Sequence, residues 1–439
     1  MTDATIPRAG PPVDSGSASA RSTARLRKTL KRRHARERRF KFYGVLAIAI
    51  AIGFLALLLG RIIEQGHTAF WTHTVQTEVY LDPARIDPAY PEGTNFDQLI
   101  AEQQLARLGV QDDENMSASG DMRQLMSAGV AFEMQRLVRE NPEVIGDRIT
   151  VTLPIGADAD LYYKGELDGE GEELFRRLND RQIFWLDQMR EQDRIHGRFN
   201  TGLFTRSDST QPELAGVLGA VVGSALMLLV TASLALPIGV GAAIYLEEFA
   251  PKGRITDIIE VNINNLAAVP SIVYGLLGLA VFINWMHLPR SSPLVGGLVL
   301  ALMALPTVII ATRSALKAVP PSIREAALAM GASKTQAVFH HVLPLAMPGV
   351  MTGSIIAMAH ALGETAPLLL IGMVSFVPGV PEAITSPSSA LPVLVFIWEN
   401  ASERAFHERT AAAIMVLLVF MIIMNAAAIY LRRRFERRW

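Results

Sequence analysis

Apolar stretches long enough to cross a bilayer constrain this chain more than any other feature of its sequence. A hydrocarbon core about 30 Å thick needs roughly 20 apolar residues in helical form. Charge-free stretches of that kind occur at 44–60, 214–246, 262–286, 294–312, 345–363 (continuing to 377 past Glu364) and 411–431. Six membrane helices are predicted. Hydrophobic residues make up 50% of the sequence and charged residues 19%, which excludes a wholly soluble chain. The first stretch, closed by Arg61, resembles a signal-peptide core, but its leader is long and basic and no small-x-small cleavage site follows cleanly. It reads as an uncleaved anchor. Pro237, Pro270, Pro306 and Pro367 lie within or beside spans. Membrane helices tolerate such breaks where neighbours satisfy the freed backbone groups.

Charge orients the spans. The totals nearly cancel, 41 Lys+Arg against 42 Asp+Glu, yet the segments differ sharply. Residues 21–41 are densely basic with Glu37 as their one acid, and the C-terminus reads RRRFERRW. The positive-inside rule places both termini in the cytoplasm, as an even number of spans requires. Basic runs also bind nucleic acid, but a span begins directly after this one, so it reads as a topology signal with no nucleic acid as partner. Residues 1–20 are rich in Pro, Gly, Ser, Ala and Thr, a composition that predicts disorder. The absence of cysteine excludes disulfides, a thiol nucleophile, cysteine-ligated zinc and Fe–S clusters.

The division that follows is a basic N-terminus (1–43), helix 1 (44–63), an extracytoplasmic domain (64–212), a five-helix domain (213–431) and a basic C-terminus (432–439). Residues 65–212 carry 26 acids against 14 bases and no membrane-length apolar run. Trp71, Val75, Val79 and Leu81 fall on one side of an alternating run, as do Val151, Leu153 and Ile155, predicting half-buried strands. Residues 97–108, 121–139 and 171–192 have helical spacing; in the last, Leu174, Leu178, Phe184, Leu186 and Met189 are placed on the core face. A small α+β domain is expected. Its carboxylates lack EF-hand or His-x-x-x-His spacing and read as a solvated surface, not a metal site.

Between the fourth and fifth spans lies RSALKAVPPSIREAALAMGASKTQAVFHHVLP (Arg313–Pro344). It reads as two short helices, the first ended by Gly331 and the second running from near Ser333 to Pro344, on the cytoplasmic side. Loops of this size with their own helices are often functional; a plain interfacial helix pair is the alternative.

This stretch resembles the EAA loop of bacterial ABC importer permeases: Glu-Ala-Ala, three residues, Gly, nine residues, Ile, one residue, Leu-Pro. Glu325, Ala326, Ala327, Gly331, Leu343 and Pro344 match, while His341 stands where the family has Ile. NINNLAAVPSIVYGLLG (Asn262–Gly278) and HALGETAPLLLIG (His360–Gly372) resemble the phosphate ABC-transporter permease family of the PstA type. The resemblance covers 214–431. It implies an all-α polytopic membrane protein of the ABC importer permease fold, with six transmembrane helices and the small α+β domain inserted between helices 1 and 2. It further implies a transport subunit without catalytic residues, metal or cofactor, in the bacterial inner membrane among membrane lipid. The implied partners are a second permease (PstC type), an ATPase dimer carrying ATP and Mg (PstB type) and a periplasmic phosphate-binding protein (PstS type). The loop would then couple the chain to the ATPase.

Five residues are candidates for the substrate path. Glu364 is an intramembrane charge, functional by default, and an acid serves an anion only by pairing with a base or orienting a donor. His360 lies one turn before it on the same face. Some family members carry Arg there, so either a charged or a packing role stands. Arg313 ends the fourth span, as path mouth or positive-inside anchor. Thr365 and Ser271 are possible donors, although hydroxyls in helices often bond their own backbone. No P-loop, nucleophile elbow or HExxH motif occurs, so the chain is neither the ATP-driven motor nor a recognisable hydrolase. Permeases for another oxyanion (phosphonate, molybdate) and a membrane receptor sensing through the acidic domain remain as alternatives.

Overall fold

The computed structural model describes residues 15–110, 117–167 and 177–435. It divides into two units, one ending at Arg61 and one from Ile62 onward. The first is essentially one helix, α1 (Ser15–Gly66), which carries the first apolar stretch. It begins inside the region whose composition predicts disorder; residues 1–14 of that region lie outside the described residues.

In the second unit a three-stranded antiparallel sheet forms first: β1 (Trp71–Tyr80), β2 (Arg148–Pro154) and β3 (Ile195–Phe199), in the order β2-β1-β3. The register pairs Val75 with Leu153 and Val79 with Ile149. One face of the sheet is covered by apolar side chains from α2 (Phe96–Arg107), α3 (Ser117–Leu125), α4 (Gly129–Glu140), α5 (Ala157–Tyr163) and α6 (Asp180–Glu191).

Three expectations for this region need correction. Trp71 is half exposed and stacks edge-on against Phe199, because it opens the strand beyond the cover of the helices. The helix expected over 121–139 is two helices. Met126 bridges to Ile155, and the Ser127 hydroxyl accepts from the Gly129 N–H, so the chain turns there. In α6 the capping box of Asn179 and Gln182 fixes where the helix starts. Trp185 then points into the core and Phe184 outward. Leu174 lies outside the described residues.

A short helix, α7 (Gly202–Thr205), leads to the long apolar elements. These are α8 (Leu218–Ile244, extended by a π-type turn over Tyr245–Phe249), α9 (Arg254–Ala267), α10 (Ser271–Leu277, continued by a π-type stretch to Trp285) and α11 (Pro293–Lys317). After α11 come α12 (Pro321–Ala329), α13 (Lys334–Gln336), α14 (Leu343–Gly363), α15 (Ala366–Leu370), α16 (Leu391–Glu399) and α17 (Ala405–Phe435). Among the described residues five helices are long and apolar enough to cross a membrane, six if the bent pair α9–α10 counts as one. That pair bends by 102° at the segment ending in Pro270. The 262–286 stretch is therefore two helices: Pro270 has no N–H to continue α9 and biases the residue before it away from helix. The stretch expected to run on from 363 to 377 likewise stops at Gly363.

Helix α11 is central and packs on both α8 and α14. A Cβ on Gly297 would stand 2.5 Å from Val230, and one on Gly353 2.2 Å from the Ala311 methyl. Small residues let these helices close to van der Waals contact, the main driving force for helix association in lipid.

The sheet region is joined to α17 by a buried ionic cluster. Lys164 lies 2.7 Å from Asp160 and 2.9 Å from Glu408, and all three side chains are at most 7% exposed. His73 Nδ1 lies 2.9 Å from Asp160, and the Thr68 hydroxyl donates to Glu408. Burial pushes the Asp160 carboxyl up, but the His73 hydrogen bonds and the Lys164 ammonium outweigh it and hold the group below the ordinary aspartate range. A depressed folded value means stability that is present above the unfolded pKa and lost as pH falls through the folded one. Thermal stability of this region is expected to drop below about pH 4, and an Asp160→Asn variant should show a shallower drop in the same acid melting series.

Candidate functional site

The loop after α11 is built by local signals. Pro320 ends the preceding turn, and Pro321 starts α12 at a position where its missing N–H costs nothing. Gly331 ends the helix at φ +87, with the Ala332 N–H donating to the Ala327 carbonyl and the Gly331 N–H to the Leu328 carbonyl. That left-handed cap favours glycine. Gly331→Ala is expected to cost about 1 kcal/mol, read as faster amide exchange across α12.

Ser333 then caps α13, its hydroxyl accepting from the Gln336 N–H while the Gln336 side chain accepts from the Ser333 N–H. A π-type turn over Ala337–Val342 runs directly into α14. The second loop helix therefore does not stop at Pro344. Lys334–Gly363 is one apolar helix of 30 residues, and Pro344 is accommodated in the first turn of α14.

The inner face of the loop is anchored. Val338, Val342, Ala346 and Val350 pack with Ile244, Leu316 and Val319, and Leu343 joins them half-buried. Ala327 is buried. His341, at the family's Ile position, is exposed, so the departure leaves this core intact.

Arg324 supplies the polar anchor. Its Nε donates to Glu248 Oε1 at 3.0 Å and its Nη2 to the same carboxylate at 2.6 Å. Its Nη1 and Nη2 also donate to the carbonyls of Val319 (2.8 Å) and Leu316 (2.9 Å). This fork ties α12 to the end of α11 and to the π-type turn of α8, and Lys334 stands 5.4 Å over the Phe249 ring of that turn. The opposite face is free of such contacts: Glu325, Ala326, Leu328, Ala329 and Met330 are all exposed, Met330 at 89%.

Arg313 lies at the same end of the bundle, 3.4 Å from Glu247 and 2.9 Å from Glu260 on α9. Lys317 stands 3.7 Å from Glu247. The Arg313 charge is thus matched by two carboxylates and clamps α8, α9 and α11 together. Sequence reasoning missed Arg324, Glu247, Glu248 and Glu260. Two adjacent acids closing an apolar span, with Arg directly before the Glu-Ala-Ala triplet, were the available signal.

At the other end of α14 the helix gives way. Glu364 takes an extended conformation after Gly363 and its carboxylate lies 3.3 Å from His360 Nε2. The His360 side chain is 67% exposed and that of Glu364 20%. Thr365 precedes α15, and Ser271 opens α10 after Pro270. These two short helices touch closely. A Cβ on Gly275 would meet the Pro367 backbone at 2.7 Å and Leu370 at 3.1 Å, and one on Gly278 would meet Ile371 at 3.2 Å. These glycines let α10 and its continuation close onto α15. Arg313 lies instead with its carboxylate partners Glu247 and Glu260.

The family described as "Binding-protein-dependent transport system inner membrane component" matches residues 235–439, and a "Domain of unknown function (DUF3333)" matches 27–173. A Bacillus subtilis protein described as a probable ABC transporter permease, YqgI, is 31% identical over 49% of this chain and 77% of its own length. The phosphate transport system permease protein PstA 2 of Mycobacterium bovis is 34% identical over 51% of this chain and 74% of its own. The corresponding PstA of Yersinia pestis is 30% identical over 48% of this chain and 71% of its own. This chain belongs to the PstA-type permeases of binding-protein-dependent transport systems. As a permease of this family it is a multi-pass inner-membrane protein of mainly helical fold and a component of a transporter. Membership implies partners of three kinds: an ATPase, another permease and a binding protein.

Proposed function

We propose that this chain is the PstA-type subunit of an ATP-driven phosphate importer. The observation that carries the reading is the identity of 30–34% over more than two thirds of permeases named for phosphate transport. The partners would be a PstC-type permease, two PstB-type ATPase subunits holding ATP and Mg, and a PstS-type binding protein on the outer face. The chain would cross six times, with α9–α10 as one broken span, both termini in the cytoplasm, and 64–212 outside as an α+β domain.

Coupling follows from the anchoring of the loop. The exposed face of α12, with Glu325, Ala326 and Met330, is the part that an ATPase groove would grip; the Arg324 fork and the Val338–Val342 core make the loop one rigid piece with the ends of α8 and α11. Because α13 runs unbroken into α14, a displacement of the loop is carried along a helix about 45 Å long. It arrives at Gly363–Thr365, where Glu364 lies 3.3 Å from His360 and the following α15 packs on α10. A helix break there offers Thr365, Ser271 and backbone groups to an oxyanion, with His360 as the base that Glu364 orients. Movement of α14 would open and close that region, giving alternating access.

Uptake of radiolabelled phosphate is the direct test, in cells lacking this gene and its paralogues. Full uptake in that background would sink the substrate. In the purified complex Glu325→Ala is expected to abolish ATPase stimulation by the loaded binding protein while the subunits still assemble. Unchanged stimulation would refute the coupling role.

A further inference from the structure

A groove of ≈ 130 Å³ lies between α8, α14 and α17, lined chiefly by Leu236, Met351, Ile355, Met358, Met424 and Leu431. It holds no residue of the coupling loop or of the His360–Glu364 pair. Along α14 its lining runs from Met351 to Leu362, and along α17 from Leu431 back to Met421. At 1.5 Å per residue that is about 16 Å, close to the hydrocarbon depth of one leaflet, about 15 Å. Four of the lining residues are methionines, Met351, Met358, Met421 and Met424. Unbranched, polarisable side chains of this kind adapt to a flexible partner.

One end of the groove is basic. Leu431 lines it, and Arg432, Arg433 and Arg434 follow on the last turn of α17. Arg432 is tied to α14 beside the groove: its Nη1 donates to the Thr352 hydroxyl at 3.0 Å, and that hydroxyl donates to the Pro348 carbonyl at 2.7 Å. Arg432 Nε is buried and has no hydrogen-bond partner among the described residues. The rest of this half-buried guanidinium and the exposed Arg433 and Arg434 put positive charge at this end of the groove, and the anion that a membrane surface supplies is a lipid phosphate. A zwitterionic lipid would fill the apolar part equally well, but its own cation would offset the phosphate, whereas a net anionic headgroup complements the three arginines.

We propose that this groove is a binding site for one anionic phospholipid, with an acyl chain along the Met-lined wall and the headgroup phosphate on Arg432. Arg433 and Arg434 add long-range attraction for anionic headgroups. The bound lipid would wedge α17 against α14, the helix that carries the coupling loop. The proposed orientation of the chain would put this headgroup in the cytoplasmic leaflet; the site itself does not rest on that orientation.

The test is native mass spectrometry of the full chain purified with its partner subunits from nanodiscs of phosphatidylglycerol and phosphatidylcholine. One phosphatidylglycerol per copy is expected to stay bound to the wild type in preference to phosphatidylcholine. Arg432→Gln should reduce its retention about tenfold, and Ala428→Trp, which fills the groove, should abolish it. Equal retention of the two lipids by the wild type would overturn the proposal without any variant. So would undiminished phosphatidylglycerol in both variants. High-yield crosslinking of an Ala428→Cys variant to the second permease would show that a protein helix occupies the groove, which also overturns it. A complex that assembles normally and takes up phosphate, yet retains no lipid, refutes the site and leaves the transport function standing.

Discussion

Arg324→Met is expected to lower phosphate uptake by more than tenfold while ATP hydrolysis by the assembled complex loses its dependence on the binding protein. The reason is the position of the guanidinium. It donates to a carboxylate that is 7% exposed and to two carbonyls at the end of α11, so one side chain joins three elements. Methionine keeps much of the volume but leaves Glu248 charged, largely buried and unpaired. Removing one partner of a buried pair typically costs about 3–5 kcal/mol. The loop would keep its outer face for the ATPase yet lose its rigid hold on α8 and α11, so force would be spent in bending the loop. Arg324→Lys should fall between, because an ammonium retains the charge without the fork that reaches both carboxylate and carbonyls. Adding Glu248→Leu to Arg324→Met should restore thermal stability but not coupling. Normal uptake by Arg324→Met would show that the hydrophobic anchor alone transmits the movement.

The parts of this site that sequence made legible are those whose physics is local. The helix end at Gly331 and the second start near Ser333 depend on residues within one helical turn, and both stand where the sequence put them. The Arg324–Glu248 fork spans 76 positions and the Lys164–Glu408 pair 244, so no spacing rule could connect them. Hydropathy identified 262–286 as apolar but carried no information on direction, and the 102° bend at Pro270 divided it. In α6 the error was one residue of phase. Phe184 and Trp185 are both large and apolar, and only the helix start fixed by Asn179 decides which one is buried. The His360–Glu364 pair was legible because i and i+4 share a helix face. Its exposure, 67% at the imidazole, was not, since that depends on neighbours contributed by other parts of the chain.

Lys164→Met is expected to destabilise the junction between the sheet region and α17 by about 3–5 kcal/mol. The ammonium is 4% exposed and is shared by Asp160 at 2.7 Å and Glu408 at 2.9 Å. Without it both buried carboxylates lose the ammonium they share. Asp160 keeps its hydrogen bond from the His73 N–H and lies 2.9 Å from the His73 ring, while Glu408 keeps only the Thr68 hydroxyl at 2.9 Å among these partners. Glu408 is therefore the group that suffers most. Neighbouring Arg409 is 2% exposed, but its Nε stands 4.0 Å from Glu408 and finds no hydrogen-bond partner, so it is a poor substitute. Glu408→Gln in the Lys164→Met background should recover part of the loss, because a neutral amide is cheaper to bury than an unpaired carboxylate. That recovery distinguishes an electrostatic key from simple packing, since a packing defect at Lys164 would be indifferent to the charge at 408. The measurement is the thermal midpoint of the solubilised protein together with protease sensitivity of residues 68–205. If the double variant melts no higher than Lys164→Met alone, the ionic account of this junction fails, and the apolar contacts of Leu203, Trp398 and Phe406 hold the two parts together instead.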